Sequence, residues 1–378
     1  MVTDVFLCIE KYSCVITEYL ERKMQTYIVY FSALFLILLL THKAQSRNKK
    51  AYVIFAALIL ACIAGFRAPS VGIDTQNYMQ LFGRIADGRF EIAYGLETSF
   101  KYICAFLLAI WRNYNFLFFV FALITNVLIF DRLWDLKDRI SIPWAATVYF
   151  GVFYFMTFNI MRQFVAAAIV FWATRYLVKK KYYKFLIFVA IACLFHNSAL
   201  LGVLFIALEL FAWKYLTKKQ KWIVTLFWVI GIIVGLLFGA LIIGRYANYF
   251  KTAQVDFGIV VFIKMALLIF TSILISKEKF EDVDENGYSV TAYTSSTVRI
   301  YYAVGLLLTM LGYVFAYMDR VGIYFYLFEA VYIGMLMRSK RVDSIVKIAV
   351  AALYLLLTLM SLLGDGQGQA TYLFFWQA

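Results

Sequence analysis

From residue 27 onward the sequence is a succession of apolar runs broken by short polar turns, and that pattern leaves few ways to fold. The runs cover residues 27–41, 51–66, 114–131, 142–158, 162–178, 185–197, 198–213, 222–244, 258–276, 300–318, 321–337 and 346–363. A hydrocarbon layer offers no partner to a free backbone amide, so each run that enters it must be helical. Several runs fall short of the roughly 20 residues a straight crossing needs, and their flanks must supply the rest. The expectation is an all-α polytopic membrane protein of about a dozen transmembrane helices. A single transmembrane domain over residues 1–378 is expected. Charged residues are only 15% of the chain and hydrophobic ones 64%, whereas soluble domains carry roughly a quarter charged. Lipid must therefore be the solvent for much of this surface.

Residues 1–23 precede the first run and read either as an upstream extension, with Met24 as an alternative start, or as an interfacial helix. The first run is followed by further spans, so no cleavable signal peptide is expected. Only two prolines are present, Pro69 and Pro143, both at run edges, and few broken helices are expected. The five cysteines show no metal-ligand spacing, so neither a required disulfide nor zinc is expected.

The net charge of +14 does not point to nucleic acid. The basic residues sit in short clusters between apolar runs, which is what juxtamembrane Lys and Arg on the cytoplasmic side produce. The clusters are Lys43, Arg47, Lys49 and Lys50; Lys179, Lys180, Lys181 and Lys184; Lys214, Lys218, Lys219 and Lys221; and Arg338, Lys340, Arg341 and Lys347. With the runs above, all four fall on one side, together with the polar stretch 277–299. A crossing at 99–111 would invert every later cluster. Residues 67–113 therefore read as one extracytoplasmic loop with two juxtamembrane helices, roughly 75–87 and 97–110.

Opposite the basic clusters collect Arg67, Asp74, Tyr78, Glu97, Arg162, Gln163, His196, Asp319 and Arg320. Arginines at the outer ends of helices run against the positive-inside bias. They either snorkel to headgroups or pair with a carboxylate such as Asp319, or they form an anion site, since a guanidinium fork grips phosphate oxygens bidentately. His196 is one of two histidines; it reads as a structural residue or a general base, with Asp74 and Glu97 as competing bases. Asp74 alternatively caps the helix that starts near Thr75.

Gly65-Phe66-Arg67 followed by Val71-Gly72-Ile73-Asp74-Thr75, Tyr78 and Phe82 resembles the first signature of the EpsG-type (Wzy-like) exopolysaccharide and O-antigen repeat-unit polymerases. Glu97 after Tyr94-Gly95 resembles that family's next acidic position. Phe158-Asn159-Ile160-Met161-Arg162-Gln163 resembles the second signature, Phe195-His196-Asn197-Ser198-Ala199-Leu200 the third, and Arg320 with Tyr324 a fourth. The resemblance implies a GT-C-like architecture in the bacterial cytoplasmic membrane. It implies transfer of a polyprenyl-diphosphate-linked glycan onto another lipid-linked repeat unit at the outer face. No metal and no cofactor are implied. The expected partners are the lipid-linked donor and acceptor, the bilayer, a chain-length regulator and a flippase. Arg67, Arg162 and Arg320 would hold the donor diphosphate; His196, Asp74 or Glu97 would act as base; Gln163, Tyr78 and Tyr324 would contact substrate. Two other classes compete. A lipid-oligosaccharide flippase would need charges at membrane depth, where Lys264, Glu209 and Glu329 are the candidates. A glycan ligase of related architecture would differ only in its acceptor.

Overall fold

The structure, a computed structural model, describes residues 2–92, 96–212, 259–275, 282–283, 289–290, 295–312 and 318–377. The expected run 222–244, the cluster at Lys214–Lys221 and the Tyr94-Gly95 pair lie outside the described residues. Among the described residues the regular structure is helical apart from a two-residue antiparallel pairing of Asp282–Val283 with Ser289–Val290 and an isolated antiparallel bridge between Arg67 and Phe374. Its many apolar helices are those of a polytopic membrane protein. The expected dozen crossings are not all met at full length. Among the described residues, Leu20–Arg47, Tyr114–Asp135 and Ser344–Leu363 are long and apolar enough to cross unaided, and seven further apolar helices are shorter.

Two compact units divide the chain: residues 1–165 with 343–378, and residues 166–342. Unit one begins with α1 (Val2–Arg47). No Gly or Pro occurs before residue 50 to stop this helix, so residues 2–23 continue it as one rod. Next come α2 (Ala51–Gly65), α3 (Thr75–Ala86), α4 (Thr98–Ile110), α5 (Tyr114–Asp135) and α6 (Ile142–Val148). The first turn of α7 (Met161–Val178) and α14 (Ser344–Leu363) complete the unit.

α2 and α5 are the most extensively packed pair of unit one, and they run antiparallel. At one end Asn115 Nδ2 donates to the carbonyls of Gly65 and Arg67, both at 2.9 Å. At the other, Lys50 pairs with Asp131. Gln45 ties the end of α1 to the α5–α6 turn, donating to the carbonyls of Lys137 and Ile140 at 2.7 Å and accepting from the Ile142 amide at 3.1 Å.

The expectation of few broken helices does not hold. α6 passes into a wider π-helical segment, Tyr149–Tyr154, and then a 3-10 turn, Phe155–Phe158. Neither break is caused by proline. Gly151 lies against α14 so closely that a Cβ there would stand 2.9 Å from the Thr358 Cα, and the widened turn accommodates that approach.

After α14, residues 364–377 form a strap along the segment that follows α2. The Ala68 amide donates to the Leu373 carbonyl and the Phe375 amide to the Phe66 carbonyl, both at 2.8 Å. Buried Tyr372 fixes the strap to the helices, donating through its amide to Thr26 Oγ1 at 2.7 Å and through its hydroxyl to the Ile63 carbonyl at 2.8 Å.

Unit two holds the rest of α7 and α8 (Tyr182–Cys193), a 3-10 turn Asn197–Gly202, and α9 (Val203–Ala212). It continues with α10 (Ile259–Ile275), α11 (Ser295–Leu311), α12 (Met318–Tyr326) and α13 (Phe328–Arg338). α12 and α13 meet at a 40° bend. Gly305 lets α11 approach α12, since a Cβ would stand 2.6 Å from the Tyr326 Cα. Its core contains a buried ion pair: Lys264 Nζ lies 2.9 Å from Glu329 Oε1 and donates to the Tyr326 hydroxyl at 2.8 Å, while the Tyr302 hydroxyl donates to Glu329 at 3.0 Å.

Candidate functional site

In unit one the structure gathers Arg67, Asp74, Tyr78, Glu97 and Arg162 around the turn before α7. Arg67 is 2% exposed. Its Nε donates to Thr75 Oγ1 at 3.1 Å, its Nη2 to the Phe158 carbonyl at 3.2 Å, and its Nη1 to the Ala64 carbonyl. The Phe118 and Phe158 rings lie 4.3 and 4.9 Å from its guanidinium carbon. Every nitrogen of this side chain is therefore spent on the protein, and it works as a strut joining α2, the start of α3 and the turn before α7.

Arg162, on the first turn of α7, is arranged differently. Its side chain keeps 18% of its surface exposed, and its Nη1 forms an ion pair with Glu97. The Tyr78 hydroxyl accepts from Arg162, through both guanidinium and backbone. Its buried Nε has no hydrogen-bond partner among the described residues. Glu97 stands at the N-terminal cap position of α4 but makes no capping hydrogen bond; its carboxylate turns to the arginine. Burial pushes the Tyr78 phenol above its ordinary value; the adjacent Arg162 charge and hydrogen bonds draw it down, and Asp74 pushes it up. The phenol keeps its proton at neutral pH and senses both charged groups.

Asp74 occupies the cap position of α3, as the alternative reading had it, yet its side chain makes no capping bond. Half-buried, its carboxylate enters no hydrogen bond or ion pair among the described residues, while its amide donates to Asn159 Oδ1 at 3.2 Å. Asn159, 6% exposed, uses Nδ2 to reach the strap, donating to the Gln367 carbonyl at 3.1 Å and to Gln367 Oε1 at 2.7 Å. Gln163 is buried beside Arg162 in sequence. The sequence reading assigned no role to the strap; Asp365 is the one charged residue in 364–377, and only the fold brings the segment here.

The remaining predicted residues form a second constellation in unit two. His196 precedes the 3-10 turn in extended conformation and is half-buried. Two residues on, Ser198 Oγ lies 2.8 Å from the hydroxyl of buried Tyr324. Arg320 and Asp319 are exposed on the first turn of α12, one turn before Tyr324.

Neither the curated proteins nor the solved structures compared give a match. The sequence model of the EpsG family matches residues 50–374, from the start of α2 to the strap. That match takes in Arg67, Asp74, Glu97, Arg162, His196 and Arg320 alike, and by it the chain belongs to the EpsG family.

Proposed function

We propose that the chain is a polysaccharide polymerase of the bacterial cytoplasmic membrane, transferring a polyprenyl-diphosphate-linked glycan onto another lipid-linked repeat unit at the outer face. Family membership supports the polymerase class. The observation that carries the chemistry is Arg162: a half-enclosed guanidinium, braced by Glu97 and Tyr78, with Nε unpartnered. In the transfer, the bond between the anomeric carbon and the diphosphate oxygen breaks, and the electron pair leaves with the diphosphate. Arg162 meets that growing charge with donors already in place. The acceptor hydroxyl oxygen forms the new bond to the anomeric carbon, and its proton passes to a base. Glu97 is committed to Arg162, so Asp74 is the base of this unit. His196 and Arg320 keep their proposed parts as alternative base and diphosphate ligand, and Gln163 as a substrate contact, while Tyr324, fully buried with its hydroxyl on Ser198, becomes a support. Arg67 moves from diphosphate ligand to support.

The outer-face reading draws support from the antiparallel α2–α5 pair. An odd number of crossings between these helices would make them parallel, so residues 67–113 add no net crossing. A transporter reading has one observation on its side, the buried Lys264–Glu329 pair, since intramembrane charges often mark translocation paths.

Arg162→Lys keeps the charge but loses the fork, and Arg162→Ala loses both. Removing such a contact costs about 2.7–4 kcal/mol, a rate loss of about a hundredfold or more. Cells carrying either variant are expected to accumulate single repeat units on the lipid carrier at normal protein level. Lys340→Ala, on an exposed turn, is the control. Normal-length polymer from Arg162→Ala would make the arginine an anchor and sink the proposed site. Repeat units held on the cytoplasmic leaflet would favour the transporter.

A further inference from the structure

The strap and the Asp74 loop approach each other more closely than side chains allow. The Gly72 amide donates to the Gly368 carbonyl at 2.8 Å. Both glycines have positive φ, 91° and 72°, and a Cβ on Gly368 would stand 2.9 Å from the Ile73 nitrogen. Any other residue at 368 would have to push the two backbones apart. The strap is itself held in shape: Gln369, 2% exposed, accepts from the Gln367 amide and donates to the Ser361 carbonyl, both at 2.8 Å. Asn159 closes the arrangement, with its oxygen on the Asp74 amide and its nitrogen on Gln367. A single buried amide thus joins the proposed base, the strap and the turn that leads, three residues later, to Arg162.

We infer that Asn159 and Gln367 are positioning residues of the transfer site: they clip the Asp74 loop to the C-terminal strap and so fix Asp74 relative to Arg162. The inference rests on the polymerase reading. Glycosyl transfer needs base, acceptor hydroxyl and leaving diphosphate in line, and a displacement of about 1 Å can cost about a hundredfold in rate. Neither residue touches substrate in this scheme. The clip acts on the rate of the chemical step and leaves substrate affinity alone.

The test uses the full chain in lipid nanodiscs and polyprenyl-diphosphate-linked repeat units extracted from cells that lack it. Gln367→Leu removes one acceptor of the Asn159 amide, and kcat is expected to fall about five- to tenfold with KM unchanged. Gln367→Glu keeps an acceptor oxygen at the same place and should restore the rate. Asn159→Ala releases both sides and should lower kcat about a hundredfold. Backbone hydrogen exchange across residues 66–75 should rise in Gln367→Leu and Asn159→Ala but not in Gln367→Glu, with α5 unaffected. Unchanged exchange in Gln367→Leu would refute the clip. Faster exchange with an unchanged kcat, or a rise in KM alone, would overturn the positioning role. If the unaltered protein makes no polymer while exchange responds as stated, the polymerase reading has failed; the positioning role falls with it, and the clip stands as a loop-ordering contact.

Discussion

A guanidinium has five N–H groups to place, and Arg67 directs them inward, onto Ala64, Thr75 and Phe158. Deleting it leaves the buried Ala64 and Phe158 carbonyls without that donor and opens a cavity between Phe118 and Phe158, while Thr75 Oγ1 keeps its bond to the Val71 carbonyl. Arg67→Ala is expected to cost about 2–5 kcal/mol of stability, read as a lower thermal unfolding midpoint in detergent. Arg162→Ala, at a more exposed side chain, should lower that midpoint less while cutting polymer synthesis about a hundredfold. Glu97 offers a second contrast. If it acts through Arg162, the losses are not additive, and Glu97→Gln combined with Arg162→Ala should make no less polymer than Arg162→Ala alone. Additive losses would give Glu97 an independent part in the chemistry. At this scale the sequence marked candidate residues but not their surroundings. Arg67 and Arg162 both sit at helix ends beside polar residues, and only their surroundings separate them. Asn159 and Gln367, 208 positions apart, carry no local signal of their partnership.

Among the elements, α4 has the most ambiguous composition. It buries Phe100, Cys104 and Leu108 on one face, while Tyr102, Phe106 and Ile110 stay more than 60% exposed on the other. A stripe of that kind on a helix that adds no crossing suits the interface of a bilayer. The neighbouring α3 instead exposes Gln76, Asn77 and Gln80. A spin label at position 106 should therefore be relaxed more by lipid-dissolved oxygen than by an aqueous nickel chelate, and a label at position 80 the reverse. Equal exposure of position 106 to the nickel chelate would put α4 in water. Helix positions were legible: the expected 75–87 and 97–110 correspond to Thr75–Ala86 and Thr98–Ile110, because each begins at a polar residue and carries an apolar period. The π-helical turn at Tyr149–Tyr154 was not. Hydropathy records which residues avoid water, and it is silent on the close approach of Gly151 to Thr358 that accompanies the turn.

For the molecule as a whole, the charge clusters make a prediction independent of any one side chain. In a background without native cysteines, single cysteines at 180 and 340 should resist an impermeant maleimide in intact cells and react after permeabilisation. Cysteines at 74, 319 and 366 should react from outside at once. Labelling of 180 from outside would invert the proposed orientation. That prediction rests on lysine and arginine acting locally, each cluster reporting its own turn. The division into two units was not legible in the sequence, since the first is assembled from both ends of the chain, a pairing no window of residues can display. That discontinuity bears on how the protein is made. The strap leaves the ribosome after every element it touches, so α1, α2 and the turn before α7 are already in the bilayer while Gly72 and Asn159 await their partners. The Asp74 loop acquires its final shape only when residues 364–377 dock, so a chain interrupted before α14 lacks the contacts that Gly368 and Gln367 make with Gly72 and Asn159.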